Sequence, residues 1–247
     1  AAMIPCNLAA VLINRTEGAL EIAAINTLGV LYVLENGDTI QSVEDLRGKT
    51  IFSTGQGTTP EYALDYVLSR NGIDPDSDVT VEFRSESTEV ASAMLNDAAS
   101  IAVLPQPFVT SVLMQNENVR VALSLTDEWD KVGDGSAMIT GVCVVRKAFA
   151  EEHPEAVDAF LKEYAASTEY VNANPAEAAE WIAELEIVGN AKIAETAIPA
   201  CNIVCITGEE MVTKASGYID ALYEQNPEAV GGKPADESYF YLAESEG

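Results

Sequence analysis

Apolar positions recur along this chain with two different periods, and the switches between them predict its elements. Thr59-Pro60-Glu61 offers a capping hydroxyl, a proline at the first helical position and an acid in the first turn. Behind it Tyr62, Tyr66 and Val67 keep helical spacing, and Asn71-Gly72 supplies a stop. Asn174-Pro175-Ala176-Glu177 repeats that logic ahead of Trp181 and Ile182. Pro154 opens a helix carrying Val157, Phe160, Leu161 and Tyr164. Thr207-Gly208-Glu209-Glu210 has the spacing of a capping box, followed by Met211, Ala215, Tyr218, Ile219 and Leu222 at helical intervals.

Between these lie short runs that read as strands: 50–54, 79–83, 100–104, 119–123 and 141–145. A longer apolar stretch, 20–34, is interrupted by Asn26, Thr27 and Gly29. Ala1-Ala2-Met3-Ile4-Pro5 reads as the end of a buried strand. It lacks the basic start and sustained apolar run of a signal peptide, so residues upstream are expected to be missing. Strands alternating with long helices predict an α/β protein with parallel sheets. The turn-rich Glu35-Asn36-Gly37-Asp38 marks a seam. From it to about Trp129 the pattern fills a complete α/β unit of common domain size. The expected organisation is a discontinuous first lobe, 1–36 with 139–247, and a second lobe, 37–138.

Composition narrows the classes of partner. With 40 acidic against 13 basic residues the net charge is −27. A nucleic acid is therefore excluded as partner, since phosphate binding needs clustered Lys and Arg. No run approaches the ~18 apolar residues that cross a bilayer. The four cysteines are Cys6, Cys143, Cys201 and Cys205. If the last two sit on an extended segment they are ~13 Å apart, beyond disulfide reach. Free buried thiols are expected.

Candidate chemistry gathers where strands give way to helices. In Ser53-Thr54-Gly55-Gln56-Gly57-Thr58-Thr59 the glycines allow a tight turn, and the amides of the following helix start, with the hydroxyls of Ser53, Thr54, Thr58 and Thr59, offer donors to a ligand. Such strand ends are where open α/β sheets bind ligands. The segment is neither a dinucleotide fingerprint nor a phosphate loop. Pro105-Gln106-Pro107 forms a second stiff junction, with Gln106 and Thr110 as reaching side chains, and Ile4-Pro5-Cys6-Asn7 a third, with Asn7. Asn26-Thr27-Leu28-Gly29 interrupts an apolar run and is assigned to the same surface, with Thr27 and Gly29 as its ligand candidates; Tyr32 and Trp129 are candidate aromatic walls. The one histidine, His153, reads as an exposed cap residue, so no catalytic residue, metal or cofactor is expected.

The order of several segments resembles ABC-transporter substrate-binding proteins of the nitrate, sulfonate and thiamine-precursor group. They are Asp45-Leu46-Arg47-Gly48-Lys49-Thr50, then Thr54 to Tyr62, then Ala102-Val103-Leu104-Pro105-Gln106-Pro107, then Val144 to Glu155, then Ala197-Ile198-Pro199 and Gly208-Glu209-Glu210-Met211. That resemblance implies the type II periplasmic-binding-protein fold: two α/β lobes, hinge strands and a ligand cleft. It implies hinge closure on a small organic or oxyanion ligand, an extracytoplasmic location, and permease and ATPase subunits as partners. It also implies that the family's opening strand and first loop precede this chain, with any membrane association made by a lipid anchor there. Gln106 stands where the group's pattern has Glu. The alternatives are a pyrimidine-precursor enzyme on the same fold and a ligand-sensing domain. The implied ligand set is Asn7, Thr27 and Gly29 from the first lobe, with Ser53, Thr54, Gly55, Gly57, Thr58, Thr59, Pro105 and Gln106 from the second.

Overall fold

The structure is a computed structural model and describes residues 1–96 and 98–243. Its strands are β1 (Ala2–Pro5), β2 (Leu20–Leu28), β3 (Leu31–Asn36), β4 (Thr50–Thr54), β5 (Thr80–Arg84), β6 (Ile101–Pro105), β7 (Val119–Ser124), β8 (Ile139–Arg146) and β9 (Ile203–Ile206). The helices are α1 (Cys6–Arg15), α2 (Thr59–Arg70), α3 (Ser87–Leu95), α4 (Phe108–Leu113), α5 (Leu125–Val132), α6 (Lys147–Glu152), α7 (Pro154–Ala173), α8 (Pro175–Glu184), α9 (Ala191–Ala197) and α10 (Gly208–Gln225).

The chain divides into two compact units. Unit 1 comprises Ala1–Leu28, Gly135–Asn174 and the residues from Asn202 onward; unit 2 comprises Gly29–Asp134 and Pro175–Cys201. These boundaries differ from the expected 36/37 and 138/139. β3 leaves unit 1 because its edges pair with β6 and β7 of the other sheet. The segment carrying α8 and α9, expected in the first lobe, also belongs to unit 2.

In unit 1 the sheet order is β1-β8-β2-β9. Every pairing in it is antiparallel, against the expectation of parallel sheets. The reason is connectivity: β8 arrives after the excursion through unit 2 and runs between β1 and β2 in the opposite direction. β1 is an edge strand, so Ala2, Met3 and Pro5 are exposed rather than buried. α1 buries Cys6, Ala9, Ala10 and Ile13, and α10 buries Met211, Ala215, Tyr218, Ile219 and Leu222, the stripe its spacing predicts. Thr207 caps α10 by backbone position only, with no side-chain cap bond. Its hydroxyl lines a hollow of about 580 Å³ between α7 and the start of α10 instead of closing a capping box.

In unit 2 the order is β5-β4-β6-β3-β7. β5, β4 and β6 are parallel, whereas β3 runs antiparallel to both β6 and β7. α3 and α4 pack with the sheet through Leu34, Val90, Met94, Leu104, Val109 and Val112. α2 meets α5 where Tyr66 stacks on Trp129 at 3.9 Å between ring centroids. Trp129 is wholly buried, so it is core and not a ligand wall. Tyr32 is half-buried and its hydroxyl donates to the Ala200 carbonyl at 2.8 Å. Glu35, expected at a seam, is 2 % exposed. Burial alone would raise its carboxyl, but the Thr39 hydroxyl, the Ile40 and Thr39 amides and the Arg120 guanidinium outweigh that and hold it below its ordinary value.

Candidate functional site

The parallel alignment of β4 with β6, which sets Phe52 opposite Ala102, carries both strands out at the same end of the unit 2 sheet. The Gly55–Thr58 turn and the Gln106-Pro107 turn therefore emerge side by side. Gly55 and Gly57 both have φ of +73°, a left-handed backbone that glycine adopts without strain. The turn closes on itself: the Gly55 carbonyl accepts the Thr58 amide at 2.9 Å and the Thr58 hydroxyl at 2.7 Å. Thr58, one residue ahead of the predicted cap, is the N-cap of α2. The Gly57 amide donates to the Glu61 carboxylate, so the helix start already holds an anion supplied by its own first turn.

The second turn is fixed in the same manner. Gln106 Oε1 accepts the Thr110 amide at 3.2 Å and the Thr110 hydroxyl at 2.9 Å, while the Gln106 amide donates to the Val30 carbonyl at 3.1 Å. This anchors the carbonyl of the carboxamide. Thr110, expected as a reaching side chain, is buried and serves as the anchor.

The remaining unit 2 candidates separate by exposure. Ser53 is 0 % exposed and its hydroxyl donates to the Thr54 carbonyl at 3.2 Å, which makes it interior structure and not a surface donor. Thr54 is buried; Gly55, Thr59 and Pro105 are partly exposed; Gly57 and Thr58 are exposed. Arg84, not singled out from sequence, ends β5 opposite Thr54. Its guanidinium lies over the Phe52 ring at 4.7 Å and pairs with Glu82 at 3.1 Å. It is the basic group in register with Thr54. Asp65, one helical turn beyond Glu61, is pushed up to about 7 by burial, then by the charges of Glu61 and Asp76.

In unit 1 the candidates converge as well. Pro5 pairs with Gly141 on one side and Thr27 pairs with Gly141 on the other. Asn7, just past Pro5, and Thr27 therefore share one end of the sheet with Thr140 and Gly141 of β8. Asn7 and Thr27 are half-buried. Gly29, assigned with them, is buried and falls in unit 2. Beside them stand Asn26, whose segment is assigned to this surface although the residue is not among the ligand candidates, and Thr140, not singled out from sequence; their Oδ1 and Oγ1 are buried with no hydrogen-bond partner among the described residues. Asn26 carried a signal, a polar residue within an apolar run; Thr140 carried none.

The Cys6 thiol is pushed up to about 12 by burial and keeps its proton at neutral pH. His153 is exposed at the start of α7, with its ring 5.1 Å from that of Phe149. Among the described residues no cluster of three His, Cys, Asp or Glu side chains is arranged to hold a metal, and no helix is long and apolar enough to cross a membrane. All four cysteines are free thiols.

The same architecture recurs in known structures. An ABC transporter protein from Parabacteroides distasonis superposes with a TM-score of 0.82 at 22 % identity, over 98 % of this chain and 81 % of that one. The periplasmic aliphatic sulphonate binding protein SsuA from Escherichia coli gives 0.76 at 13 % identity, over 98 % and 75 %. The periplasmic nitrate-binding protein NrtA from Synechocystis gives 0.57 at 14 %, over 96 % and 68 %. At these identities the likeness establishes the fold, which is that of the type II periplasmic binding proteins. Residues 17–178 match the sequence profile of the family described as NMT1/THI5 like, and the chain belongs to that family. No curated protein sequence matches it.

Proposed function

We propose that this chain is the solute-binding component of an ABC importer, working outside the cytoplasm and delivering a small molecule to permease and ATPase subunits. The observation that carries the reading is the fold likeness to ABC-transporter binding proteins, which extends over 98 % of the chain. The strand-end turns agree with it, because they gather amides, carboxamides and hydroxyls. The ligand-facing groups in this proposal are Asn7 and Thr27 of unit 1, with Thr54, Gly55, Gly57, Thr58, Thr59, Pro105 and Gln106 of unit 2. Closure follows from differential contact: a ligand stabilises the closed form only by the interactions it gains there. Binding without turnover, and a lipid anchor on residues upstream of Ala1, belong to the same proposal.

Thermal denaturation against a panel of methanesulfonate, nitrate, cytosine and amino acids tests it. A ligand that binds only the native state stabilises by about 2.7 kcal/mol at a hundredfold excess over its Kd. One class is expected to raise Tm and also to contract the radius of gyration in solution scattering. A panel that leaves Tm unmoved would count against capture, and consumption of a compound would point to an enzyme instead.

A further inference from the structure

Buried polar atoms without partners are uncommon in folded proteins, and each one asks for a cause. Asn26 Oδ1 and Thr140 Oγ1 are two of them, and they are not scattered. Along the β2–β8 ladder Ile25 faces Val142, Thr27 faces Gly141 and Leu28 faces Ile139. Asn26 is thus an additional residue on β2, and Thr140 an additional residue on β8. Two opposed bulges sit back to back around the single Thr27–Gly141 pair, each carrying one unsatisfied oxygen. Bulges interrupt the ladder and re-aim side chains, and they concentrate beside functional sites. A third such oxygen, Thr126 Oγ1, lies on α5 in the other unit.

The glycine between the bulges is part of the arrangement. A Cβ on Gly141 would collide with Asn26 Oδ1, so only glycine lets the carboxamide lie against this backbone. Asn26 is 8 % exposed, which shuts water out as a ready substitute partner. The location matters too. β2 is the strand on which the chain leaves unit 1 after Leu28, and β8 follows its return at Gly135. The bulges therefore lie on two of the strands that flank crossings between the units, next to the Asn7 and Thr27 surface assigned to ligand.

We propose that the paired bulges at Asn26 and Thr140 are a conformational device: two buried oxygens at this strand end have no partner among the described residues, and a ligand binding beside them favours a rearrangement that satisfies both. The proposal rests on the capture reading above. In the free protein the device costs stability; in the bound protein that cost is recovered, which adds to the preference of the ligand for the rearranged state.

Thr140→Val tests it, because valine keeps the shape and removes the orphaned hydroxyl. The free variant is expected to melt about 2–4 °C above wild type, while its ligand-induced rise in Tm, read with whichever of methanesulfonate, nitrate, cytosine or the amino acids shifts wild type, becomes smaller. Amide exchange at Asn26–Leu28 and Ile139–Gly141 should slow on binding in wild type and change less in the variant. Asn26→Leu provides a second, independent test with the same expected signs. A lower Tm for free Thr140→Val would mean that the hydroxyl already has a partner, such as a trapped water, and would overturn the device. A ligand-induced shift identical to wild type would overturn its link to binding while leaving capture intact. A wild-type protein that no probe stabilises would remove the capture reading and this proposal with it.

Discussion

At the end of β4 the chain supplies partners for its own polar groups; at the end of β2 it does not. Gly55 O receives two hydrogen bonds from Thr58, the Gly57 amide goes to Glu61, and Gln106 Oε1 is held by Thr110. Asn26 Oδ1 and Thr140 Oγ1, by contrast, have no hydrogen-bond partner among the described residues. Both regions are strand ends that carry Thr, Gly and a carboxamide, so composition does not separate them. Local turn chemistry does. A left-handed glycine followed by a hydroxyl residue and a helix start can close a turn within a few residues. A bulged ladder between strands distant in sequence has no such local recourse. Unit 2 therefore offers turns whose polar groups are already bonded, and unit 1 a strand end with two buried oxygens that are not, among the described residues.

The sharpest break of this contrast is Gly55→Ala. With φ at +73°, any Cβ is strained, and here it would also meet Thr58 Oγ1 and, at 2.9 Å, Pro60 Cδ. The combined cost should be about 2–4 kcal/mol, read as a fall in Tm. Gly57→Ala is the internal control: the same φ, but nothing within 4 Å, so about 1 kcal/mol. Equal losses would show that the closed turn around Gly55 contributes nothing. In unit 1 Gly141→Ala should cost about 1–3 kcal/mol through the collision with Asn26. Adding Asn26→Ala should recover part of that loss, with a coupling above about 0.5 kcal/mol. Strict additivity of the two would place the damage elsewhere.

Asp65 sharpens the comparison from the other side, as the one costly carboxyl beneath the unit 2 cradle. Burial, with Glu61 and Asp76, lifts it to about 7. A folded-state value above the unfolded one means the native state binds more protons between roughly pH 4 and 7, so this group lowers stability as pH rises through that window and the penalty is complete above it. Asp65→Asn should therefore stabilise by about 1–2 kcal/mol at pH 8, after allowance for solvent screening, and have almost no effect at pH 4. Glu35 has the opposite sign, since its lowered value gives stability that disappears as pH falls through the acid range. Urea titrations of Asp65→Asn at the two pH values separate these contributions; a gain that is equal at both would remove Asp65 from the account.

The sequence made the unit 2 cradle legible and left the unit 1 device dark, for a physical reason. Helix starts and tight turns are encoded within five or six residues. The strand at Thr50–Thr54 and the helix that stops at Asn71 both stand where propensity and punctuation put them. The Gln106–Thr110 anchor, too, is a local spacing. Sheet direction, the edge position of β1, the placement of β3 and α8–α9 in unit 2, and the two bulges all depend on contacts between segments far apart in the chain. Only Asn26, polar in an apolar run, hinted at the last of these. Ser53 misled because alternation along β4 turns it inward, a fact visible once the neighbouring strands are known.

The smallest effect, and the most local, is expected at Thr58. Its hydroxyl bonds the Gly55 carbonyl at 2.7 Å on an exposed turn, where water can replace it. Thr58→Val should therefore cost only about 0.5–1.5 kcal/mol, and Thr58→Ser, which keeps the donor, should restore most of it. The informative measurement is ligand affinity and not Tm. If the turn is a cradle whose amides are aimed by that bond, Thr58→Val will loosen binding by more than its stability loss predicts, and Thr58→Ser will not. Should the two variants bind alike, the hydroxyl is only a staple of the turn, and pre-satisfaction in unit 2 would be about folding and not about capture.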